Sequence, residues 1–413
     1  MKKRIAVVGA DNSLGRRVAR EAYHRGYAVT AVVRDQSLLD SVKYSVRESA
    51  DYSVEEDEFD AVIDVTGKEI KITKGDMVSS VCPAERIDAD GRRTGQVRLS
   101  DKRETYVSEE DLALAVVDVT DSDGQMDVFA GSDPAPDLPE ENSGRRRYVA
   151  VPDKGIAGKV FELVMDSLQE YVIRFLTDST MIIAEKGKAY REYSCDCFRC
   201  DDDVWMVIYM KDGECVTLIL DEGQDLVTEV LAELMPKRTQ LVRHRILFGA
   251  LRRKDKELPF RRHAFTDELV GQKITWHYSP YVNITHCFYT EMYMRNSLRS
   301  MKPVPDDAAP EARFDAEDRI RRWSNIFFEE PAQYIRFNPH LYMMCMREAT
   351  RNRIDPLQGG GDMVLVINTR RMRDYGRGFS RGKGAPGYDL VSVCGDWDDL
   401  PDPMDTAESP YLV

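Results

Sequence analysis

The second half of the chain consists of short runs in which apolar and polar residues alternate, and the series of runs occurs twice. Residues 158–183, GKVFELVMDSLQEYVIRFLTDSTMII, align with residues 271–296, GQKITWHYSPYVNITHCFYTEMYMRN, and residues 204–226 align with residues 341–372. Such runs, separated by turn residues, predict antiparallel strands, and one copy holds enough of them for a sheet that nearly closes on itself. The repeat therefore predicts two barrel-like units, residues 151–262 and 263–400.

The second copy carries an insertion at residues 301–325. Its first part is rich in Pro and Asp, and its second part, DAEDRIRRWSN, has helical spacing of Ile320 and Trp323. A helical flap over a barrel mouth and a plain surface loop are both compatible with this pattern. Residues 236–262, rich in Lys and Arg, are predicted to form a solvated connector between the copies, and residues 401–413 are predicted to form a tail.

The start of the chain has a different pattern. A β-branched run at residues 5–8 is followed by the turn GADNSLG, an amphipathic stretch and a second apolar run at residues 28–33. This order opens a dinucleotide-binding βαβ unit, in which glycines let the backbone approach a pyrophosphate at a helix N-terminus. The candidate cofactor-binding residues are Gly9, Asn12 in the place of the middle glycine, Gly15 and Arg34. The basic Arg34 favours NADP over NAD.

These residues resemble the NmrA-like atypical short-chain dehydrogenases, whose first turn is similar. The resemblance continues in FDAVIDVTG at residues 59–67 and in ETYVSEEDLALAVV at residues 104–117. The segment between them is too short for the family's full sheet, and residues 1–150 contain no Tyr-x-x-x-Lys pair. We therefore expect a truncated Rossmann-like domain at residues 1–120 that needs no cofactor and retains at most vestigial NADP binding. Residues 121–150, rich in Asp, Glu, Pro, Ser and Gly, are predicted to be a linker.

The stretch GQKITWHYSPYVNITHCFY, residues 271–289, is the richest in groups that can hold a small molecule. Strand alternation places Trp276 and Tyr278 on one face, and His286 and Phe288 on one face of the next strand. If both faces point inward, an aromatic wall carries an imidazole and a phenol that are suited to acid–base chemistry. The alternative is that His286 is a buried, hydrogen-bonded core histidine.

A second group of candidates lies on the strand at residues 340–348, where Tyr342 and Glu348 are predicted to share a face. The predicted catalytic residues are His286, Tyr278 and Glu348, and the predicted substrate-binding residues are Trp276, Tyr281, Phe288, Tyr289 and Tyr342. In the first copy the same parts fall to Arg174, Glu185, Tyr190 and Tyr209. Spacing alone does not choose between the two copies.

The segment HAFTDELVGQKITWHYSP, residues 263–280, resembles the MoaF family, and INTRRMRDYGRGFS, residues 367–380, resembles a later motif of that family. The resemblance implies a pair of lipocalin-like, calycin-type antiparallel β-barrels, similar to the phenolic acid decarboxylases. In those enzymes a buried acid donates a proton while phenols hold a carboxylate. The whole chain is then an α/β domain, a shortened Rossmann-like one, followed by two β-barrels.

Charge and cysteine content limit the partners and the location. A net charge of −14 would repel nucleic acid and anionic membranes, and we expect neither as a partner. No run approaches the length of a membrane helix. Cys195, Cys197 and Cys200 lack a second cysteine pair or a spaced histidine, so no metal site is expected. Reduced thiols predict a cytoplasmic protein, with a small-molecule ligand and a homo-oligomer as candidate partners.

Three functions remain open at this stage. The first is a MoaF-like enzyme, a lyase or isomerase, that decarboxylates, cyclises or isomerises a small hydrophobic or aromatic molecule in a barrel. The second is a protein that binds a ligand or mediates assembly without catalysis. The third is an NADP-dependent reductase that uses the N-terminal domain.

Overall fold

A computed structural model describes residues 2–39, 42, 44–89, 93–134, 150–235, 242–278, 283–300, 328–348, 361–381 and 386–398. The chain divides into two compact units, residues 1–138 with 399–413, and residues 139–398. Within the described ranges, no helix is both long enough and apolar enough to cross a membrane. The insertion at residues 301–325 and the tail at residues 401–413 fall outside those ranges.

The first unit is built on a mixed sheet. Its elements are β1 (Arg4–Val8), α1 (Ser13–His24), β2 (Ala28–Val33), a 3₁₀ turn (Gln36–Leu39), β3 (Ser45–Glu48), a 3₁₀ turn (Glu56–Glu58), β4 (Ala61–Asp64), β5 (Ile70–Lys74), β6 (Met77–Pro83), β7 (Arg86–Asp88), β8 (Arg98–Ser100), β9 (Tyr106–Ser108), α2 (Glu109–Asp121) and β10 (Asp127–Gly131). The sheet order is β3-β2-β1-β4-β5-β6-β10-β8, and β7 pairs with β9 separately.

The first four strands of this order are parallel, as in one half of a dinucleotide-binding fold. The sheet then turns antiparallel at the β5–β6 hairpin. Helix α1 packs against the sheet through small and branched side chains, Val18, Ala19 and Ala22, all of which are fully buried. The predicted Rossmann-like character is confirmed at this coarse level, because parallel strands joined by α1 are followed by a shortened, mixed remainder.

The second unit begins with a closed eight-stranded antiparallel barrel, and the barrel predicted for the first copy is confirmed. Its strands are β11 (Val160–Met165), β12 (Glu170–Thr177), β13 (Thr180–Glu185), β14 (Arg191–Asp201), β15 (Val204–Lys211), β16 (Glu214–Asp221), β17 (Leu226–Leu234) and β18 (Val242–Leu251). The closing strand is β18, which pairs with β17 on one side and with β11 on the other. It lies inside the stretch that the sequence assigned to a connector.

The second copy forms a sheet of ten strands. They are β19 (Ala264–Phe265), β20 (Lys273–His277), β21 (Asn283–Cys287), β22 (Tyr293–Ser300), β23 (Phe328–Asn338), β24 (Leu341–Arg347), β25 (Asp362–Asn368), β26 (Arg373–Arg381), β27 (Pro386–Val391) and β28 (Gly395–Trp397). The order is β27-β26-β25-β24-β23-β22-β21-β20-β28, and β19 pairs with β23. Among the residues that the structure describes the sheet path is open, and a second closed barrel is not shown. Backbone hydrogen bonds nevertheless join residues 393–395 to the start of β26, including Asp374 N–H to the Val393 carbonyl at 3.0 Å.

The two sheets of the second unit pack outer face against outer face. Their shared apolar cluster joins residues of β14–β18 to residues of β23–β26. A polar group is buried in the same layer. Arg377 Nη1 donates to Asp362 Oδ2 at 2.6 Å, Arg377 Nε donates to Thr217 Oγ1 at 3.1 Å, and His244 Nδ1 contacts Asp362 Oδ1. The side chains of Arg377 and Asp362 have no solvent exposure at all.

Candidate functional site

A buried carboxyl group, that of Glu229, lies on the inner face of the closed barrel. Strand β17 pairs Glu229 with Leu218 on β16 and with Leu247 on β18, so these three side chains share one face. Leu218 belongs to the apolar cluster that fills the barrel, and Leu247 packs against it. Glu229 is only 4% exposed, and its Oε2 is buried without a hydrogen-bond partner in the described part of the chain.

Burial sets the acidity of this group. It raises the pKa of Glu229 to about 7, and the nearby cations Lys211 and Arg245 offset only part of that effect. Both the acid and the carboxylate are therefore accessible close to neutral pH. A carboxyl group tuned in this way can donate or accept a proton, whereas an exposed glutamate is ionised at that pH.

Two phenols accompany Glu229. Strand pairing places Tyr209 opposite Cys195 and Val216, and Tyr171 opposite Leu163, so both rings lie on the inner face. Burial, followed by the charge of Glu229, raises the pKa of Tyr209 and of Tyr171. Both phenols thus stay protonated and act as hydrogen-bond donors, and the Tyr171 hydroxyl donates to Gln169 Oε1 at 2.8 Å.

Charged side chains cluster around these inner groups. Lys211 Nζ donates to Glu185 Oε1 at 2.7 Å and lies 5.9 Å from the Tyr171 ring centre. Arg245 lies 3.6 Å from Glu214, and its side chain is 53% exposed. Lys211 and Arg245 can therefore attract an anionic group to the solvent-exposed end of this cluster. Each of them also has a carboxylate neighbour, Glu185 and Glu214 respectively.

The structure brings together only part of the set predicted for the first copy. Glu185 and Tyr209 lie near Glu229, whereas Tyr190 is 71% exposed and Arg174 is exposed on the outer face of β12. The sequence reasoning missed Glu229. A signal was available, since Glu229 interrupts the apolar alternation of β17 at an inner position between Val227 and Leu231.

In the second copy, Trp276 and His286 are brought together on the inner face of the sheet. Trp276 Nε1 donates to His286 Nδ1 at 3.0 Å, and both side chains are buried. A Cβ atom at Gly395 would lie 2.4 Å from the Trp276 ring, so the ring packs against bare backbone. Burial lowers the pKa of His286 to about 3. This imidazole is neutral near pH 7 and its Nδ1 is already engaged, which matches the core-histidine alternative.

The remaining residues predicted for this copy are spread around it. Phe288 is fully buried against the Tyr334 ring at 5.6 Å, and the Tyr342 hydroxyl donates to Glu268 Oε2 at 2.9 Å. Tyr289 is 48% exposed beneath the guanidinium of Arg295. Tyr278 and Glu348 are half-buried, and Tyr281 lies outside the described residues. The structure therefore shows no joint site for the whole predicted group within the ranges that it describes.

The second copy has a buried acid of its own, Asp374. It pairs with Ile367, a residue of the inner cluster, and is 0% exposed. Its Oδ1 accepts the Val393 N–H at 2.7 Å, while Oδ2 is buried without a hydrogen-bond partner among the described atoms. Burial raises the pKa of Asp374 to about 7. Strand β26 corresponds to β17 in the repeat, so each copy places an acid on the inner face of the same strand.

The dinucleotide-binding turn keeps two of its glycines for steric reasons. Gly9 has a φ of +85°, and a Cβ at Gly15 would lie 2.3 Å from the Gly9 carbonyl oxygen. Asn12 instead uses its side chain inside the turn, with Oδ1 accepting the Gly15 N–H at 2.7 Å and Nδ2 donating to the Val65 carbonyl at 3.3 Å. The N-terminus of α1 is thereby capped by the protein itself.

A second group also occupies the start of α1, since Ser13 Oγ donates to the carboxylate of Glu109 at 2.6 Å. A pyrophosphate would have to displace the Asn12 cap and approach this anion, so these residues do not fit it. Arg34 is exposed, with its guanidinium 4.5 Å from the Tyr52 ring centre, where a phosphate could reach it. The phosphate-binding turn, rather than Arg34, argues against a dinucleotide.

The cysteines of the barrel lie on different faces. Cys195 and Cys197 are inside, with their sulfur atoms 4.0 Å apart, whereas Cys200 belongs to the layer between the two sheets. Among the described residues, no group of three or more His, Cys, Asp or Glu side chains is arranged to hold a metal ion.

Comparisons with known proteins reach only part of the chain. No family model matches it, and no curated protein does. One similar solved structure is a provisionally named NADH-flavin reductase from Streptococcus pneumoniae TIGR4, with 16% identity, a TM-score of 0.26, and coverage of 32% of this chain and 100% of that one. Another is a provisionally named epimerase from Bacteroides thetaiotaomicron, with 16% identity, a TM-score of 0.24, and coverage of 33% and 100%. Likenesses this distant say nothing about the activity of the chain.

Proposed function

We propose that the chain is a MoaF-like enzyme that performs non-redox proton-transfer chemistry on a small hydrophobic or aromatic molecule inside the first barrel. Glu229 is the proton donor, and decarboxylation, isomerisation and cyclisation are the reactions of this class. The observation that carries the proposal is a buried carboxyl group with an unpartnered oxygen on an otherwise apolar wall. Such a group is costly to bury, and a function explains its presence better than packing does.

The chemistry follows from the surroundings of Glu229. Near neutral pH the protonated carboxyl gives its proton to a carbon atom of a conjugated substrate, and the resulting carboxylate takes a proton back from product or water. In a decarboxylation the π electrons of the conjugated substrate form the bond to the new hydrogen, the carboxylate then leaves as carbon dioxide, and the electrons of the broken carbon–carbon bond restore the double bond. The phenol of Tyr209 donates a hydrogen bond to a substrate oxygen on which charge develops, and the phenol of Tyr171 does so by exchanging Gln169 Oε1 for that oxygen.

The sequence predicted catalytic residues in the second copy, whereas this proposal places the proton donor in the first. His286 is neutral and bonded to Trp276, so it lacks a free acid or base at Nδ1. Asp374 is the nearest equivalent of Glu229 in the second copy, but its Oδ1 already accepts a backbone hydrogen bond. We propose further that the second sheet forms a barrel of the same type, on the strength of the bonds from residues 393–395 to β26.

The test begins with the small molecule that co-purifies with the protein, identified by native mass spectrometry. Turnover of that molecule, and of a panel of hydroxycinnamic acids, is then followed by proton NMR in D₂O. We expect Glu229→Gln to abolish turnover and Glu229→Asp to retain a small fraction of it. The matched control is Glu192→Gln, which removes an exposed glutamate from β14. Wild-type turnover in Glu229→Gln would refute the proposal.

The filled interior of the barrel favours a second candidate, a protein without catalysis. Phe161 and Phe175 stack edge to face at 6.0 Å, and Trp205 is buried beside them. Small barrels are often filled by side chains alone. A ligand that co-purifies with wild type and with Glu229→Gln, and that neither protein converts, would favour this candidate. The NADP-dependent reductase is the weakest of the three because Asn12 caps the turn.

A further inference from the structure

A separate cavity of about 680 Å³ lies on the flank of the second unit, outside the closed barrel. It is bordered by β18 of the barrel and by β19, β23 and β24 of the second sheet. Among its lining residues are His244, Phe265, Met292, Gln333 and Arg347. Its volume is typical of a site for a small organic molecule, and we call it the flank groove.

One end of the flank groove carries the basic side chains His244 and Arg347. His244 Nδ1 faces the buried carboxylate of Asp362, which fixes the imidazole and turns Nε2 towards Gln333 Oε1 at 3.3 Å. Asp362 is itself held by Arg377 at 2.6 Å. Arg347 lies opposite Asp362 across β24 and β25 and lines the groove. Arg377 and His244 already offset the charge of Asp362, and Arg347 is the arginine that lines the groove at this end.

The other end is apolar, with an acidic rim. Phe265 is 56% exposed and packs edge to face on Phe248 at 5.7 Å, and Met292 is 67% exposed. Phe248 follows His244 by four residues on β18, which separates the two ends by about 13 Å. Asp267, two residues from Phe265, lines the cavity at this end and disfavours an anion there, while Glu291 lines it next to Met292, whose carbonyl accepts the Ala332 N–H at 2.8 Å. An anionic head is thus directed to the His244 end, with an apolar body over Phe265 and Met292.

We propose that the flank groove binds an amphipathic carboxylate whose carboxyl group meets Arg347 and His244 and whose apolar body covers Phe265 and Met292. The groove is a ligand site that is independent of Glu229 and of the chemistry proposed for the barrel. Charge complementarity at one end and exposed apolar side chains at the other carry the inference. An arginine is a suitable donor for a carboxylate, and the carboxylate takes the place of Gln333 Oε1 at Nε2 of His244.

The test uses three probes of equal length, 4-phenylbutyrate, 4-phenylbutanol and 4-phenylbutylamine, with binding to the full chain measured by calorimetry and saturation-transfer NMR. We expect 4-phenylbutyrate to bind at least tenfold more tightly than the other two. Arg347→Gln is expected to weaken its binding about tenfold, and Phe265→Ala is expected to weaken all three probes. The matched control is Arg243→Gln, which removes an exposed arginine next to His244 whose partner is Glu233.

The Glu229→Gln variant distinguishes binding in the flank groove from binding in the barrel. We expect it to leave the affinity of the protein for 4-phenylbutyrate unchanged. Equal affinity for the three probes, no saturable binding, or an Arg347→Gln protein that binds like wild type would each overturn the proposal. A Glu229→Gln protein that loses 4-phenylbutyrate binding would also overturn it, by assigning the probe to the barrel. Because Arg347 is exposed, its replacement leaves the fold intact and the result interpretable.

Discussion

An acid whose burial outweighs its nearby counter-ions destabilises a protein once it ionises, and Glu229 is such an acid. Its pKa rises from 4.5 in the unfolded chain to about 7 in the fold, a shift that corresponds to about 3 kcal/mol. The contribution of Glu229 to stability is therefore fully present below pH 4.5 and is lost as the pH rises through 7. As the pH rises, the unfolded chain loses the Glu229 proton at a lower pH than the folded chain does, so rising pH favours unfolding.

We expect Glu229→Gln to remove this component of the pH dependence. Relative to wild type, the variant should gain about 3 kcal/mol in the free energy of unfolding between pH 4 and pH 8. Urea unfolding at one-unit steps of pH measures the difference. Glu192→Gln, at an exposed site, serves as the control and should follow wild type throughout. A constant difference between Glu229→Gln and wild type would show that Glu229 is not the buried acid described above.

His286 is the opposite case, a base whose charged form is disfavoured by burial. Its pKa is lowered to about 3, so its ring should stay neutral from pH 5 to pH 8. NMR of histidine labelled with ¹³C should show one imidazole with constant shifts over that range, assigned by its loss in His286→Asn. A ring that titrates near pH 6.5 would contradict this expectation. Since the unfolded histidine ionises at about 6.5, its contribution to stability is lost as the pH falls from 6.5 towards 3.

At the scale of elements, helix α1 depends on a cap from its own turn. Asn12 Oδ1 accepts the Gly15 N–H, and we expect Asn12→Ala to lower the free energy of unfolding of the first unit by about 1 kcal/mol. Asn12→Asp, which keeps an oxygen acceptor at the same place, should retain most of that stability. Thermal and urea unfolding followed by circular dichroism measures both variants. Equal loss in the two variants would mean that the hydrogen bond to Gly15 is not what stabilises the helix.

The same cap predicts weak binding of a dinucleotide. We expect no quenching of NADPH fluorescence by the wild-type chain, because Asn12 and Glu109 occupy the N-terminus of α1. Asn12→Gly, which restores the glycine of the binding turn, should bind NADPH more tightly than wild type does. Arg34→Gln in that background should remove part of the gain. Tight NADPH binding by wild type would instead move the reductase from third to first place among the candidate functions.

Local pattern was enough to predict the elements that are made from neighbouring residues. The β1–α1–β2 unit follows from one turn and two apolar runs, and most barrel strands follow from alternation and turn residues. The closing strand β18 was not predicted because its first residues include Arg243, His244 and Arg245, which resemble part of a solvated connector. Alternation on β17 could have indicated an inward Glu229, and a core histidine was one reading of His286, but how deeply each is buried depends on which strands become neighbours. Whether a polar side chain faces the interior is decided by that pairing.

At the scale of the second unit, two sheets share a layer that is largely apolar but contains Arg377, Asp362 and His244. Burying an ion pair does not by itself stabilise a fold, because desolvation offsets much of the attraction between the charges. The arrangement instead restricts how the sheets can meet, since Arg377 Nε donates to Thr217 Oγ1 of the barrel at 3.1 Å and a shift of one sheet would break that bond. The pair thus favours one packing of the two sheets over alternatives that apolar contacts alone would allow.

This view predicts unequal effects for single and combined replacements. Arg377→Met leaves Asp362 buried without its main counter-ion and should lower the free energy of unfolding by about 3–5 kcal/mol. Replacing Asp362 and His244 with leucine in the same protein should recover much of that loss, because no charge then remains in the layer. Arg191→Met, which breaks an exposed pair with Asp212, should cost less than about 1 kcal/mol. Denaturant unfolding measures all three proteins, and an Arg377→Met variant no less stable than Arg191→Met would show that the buried pair does not hold the sheets together.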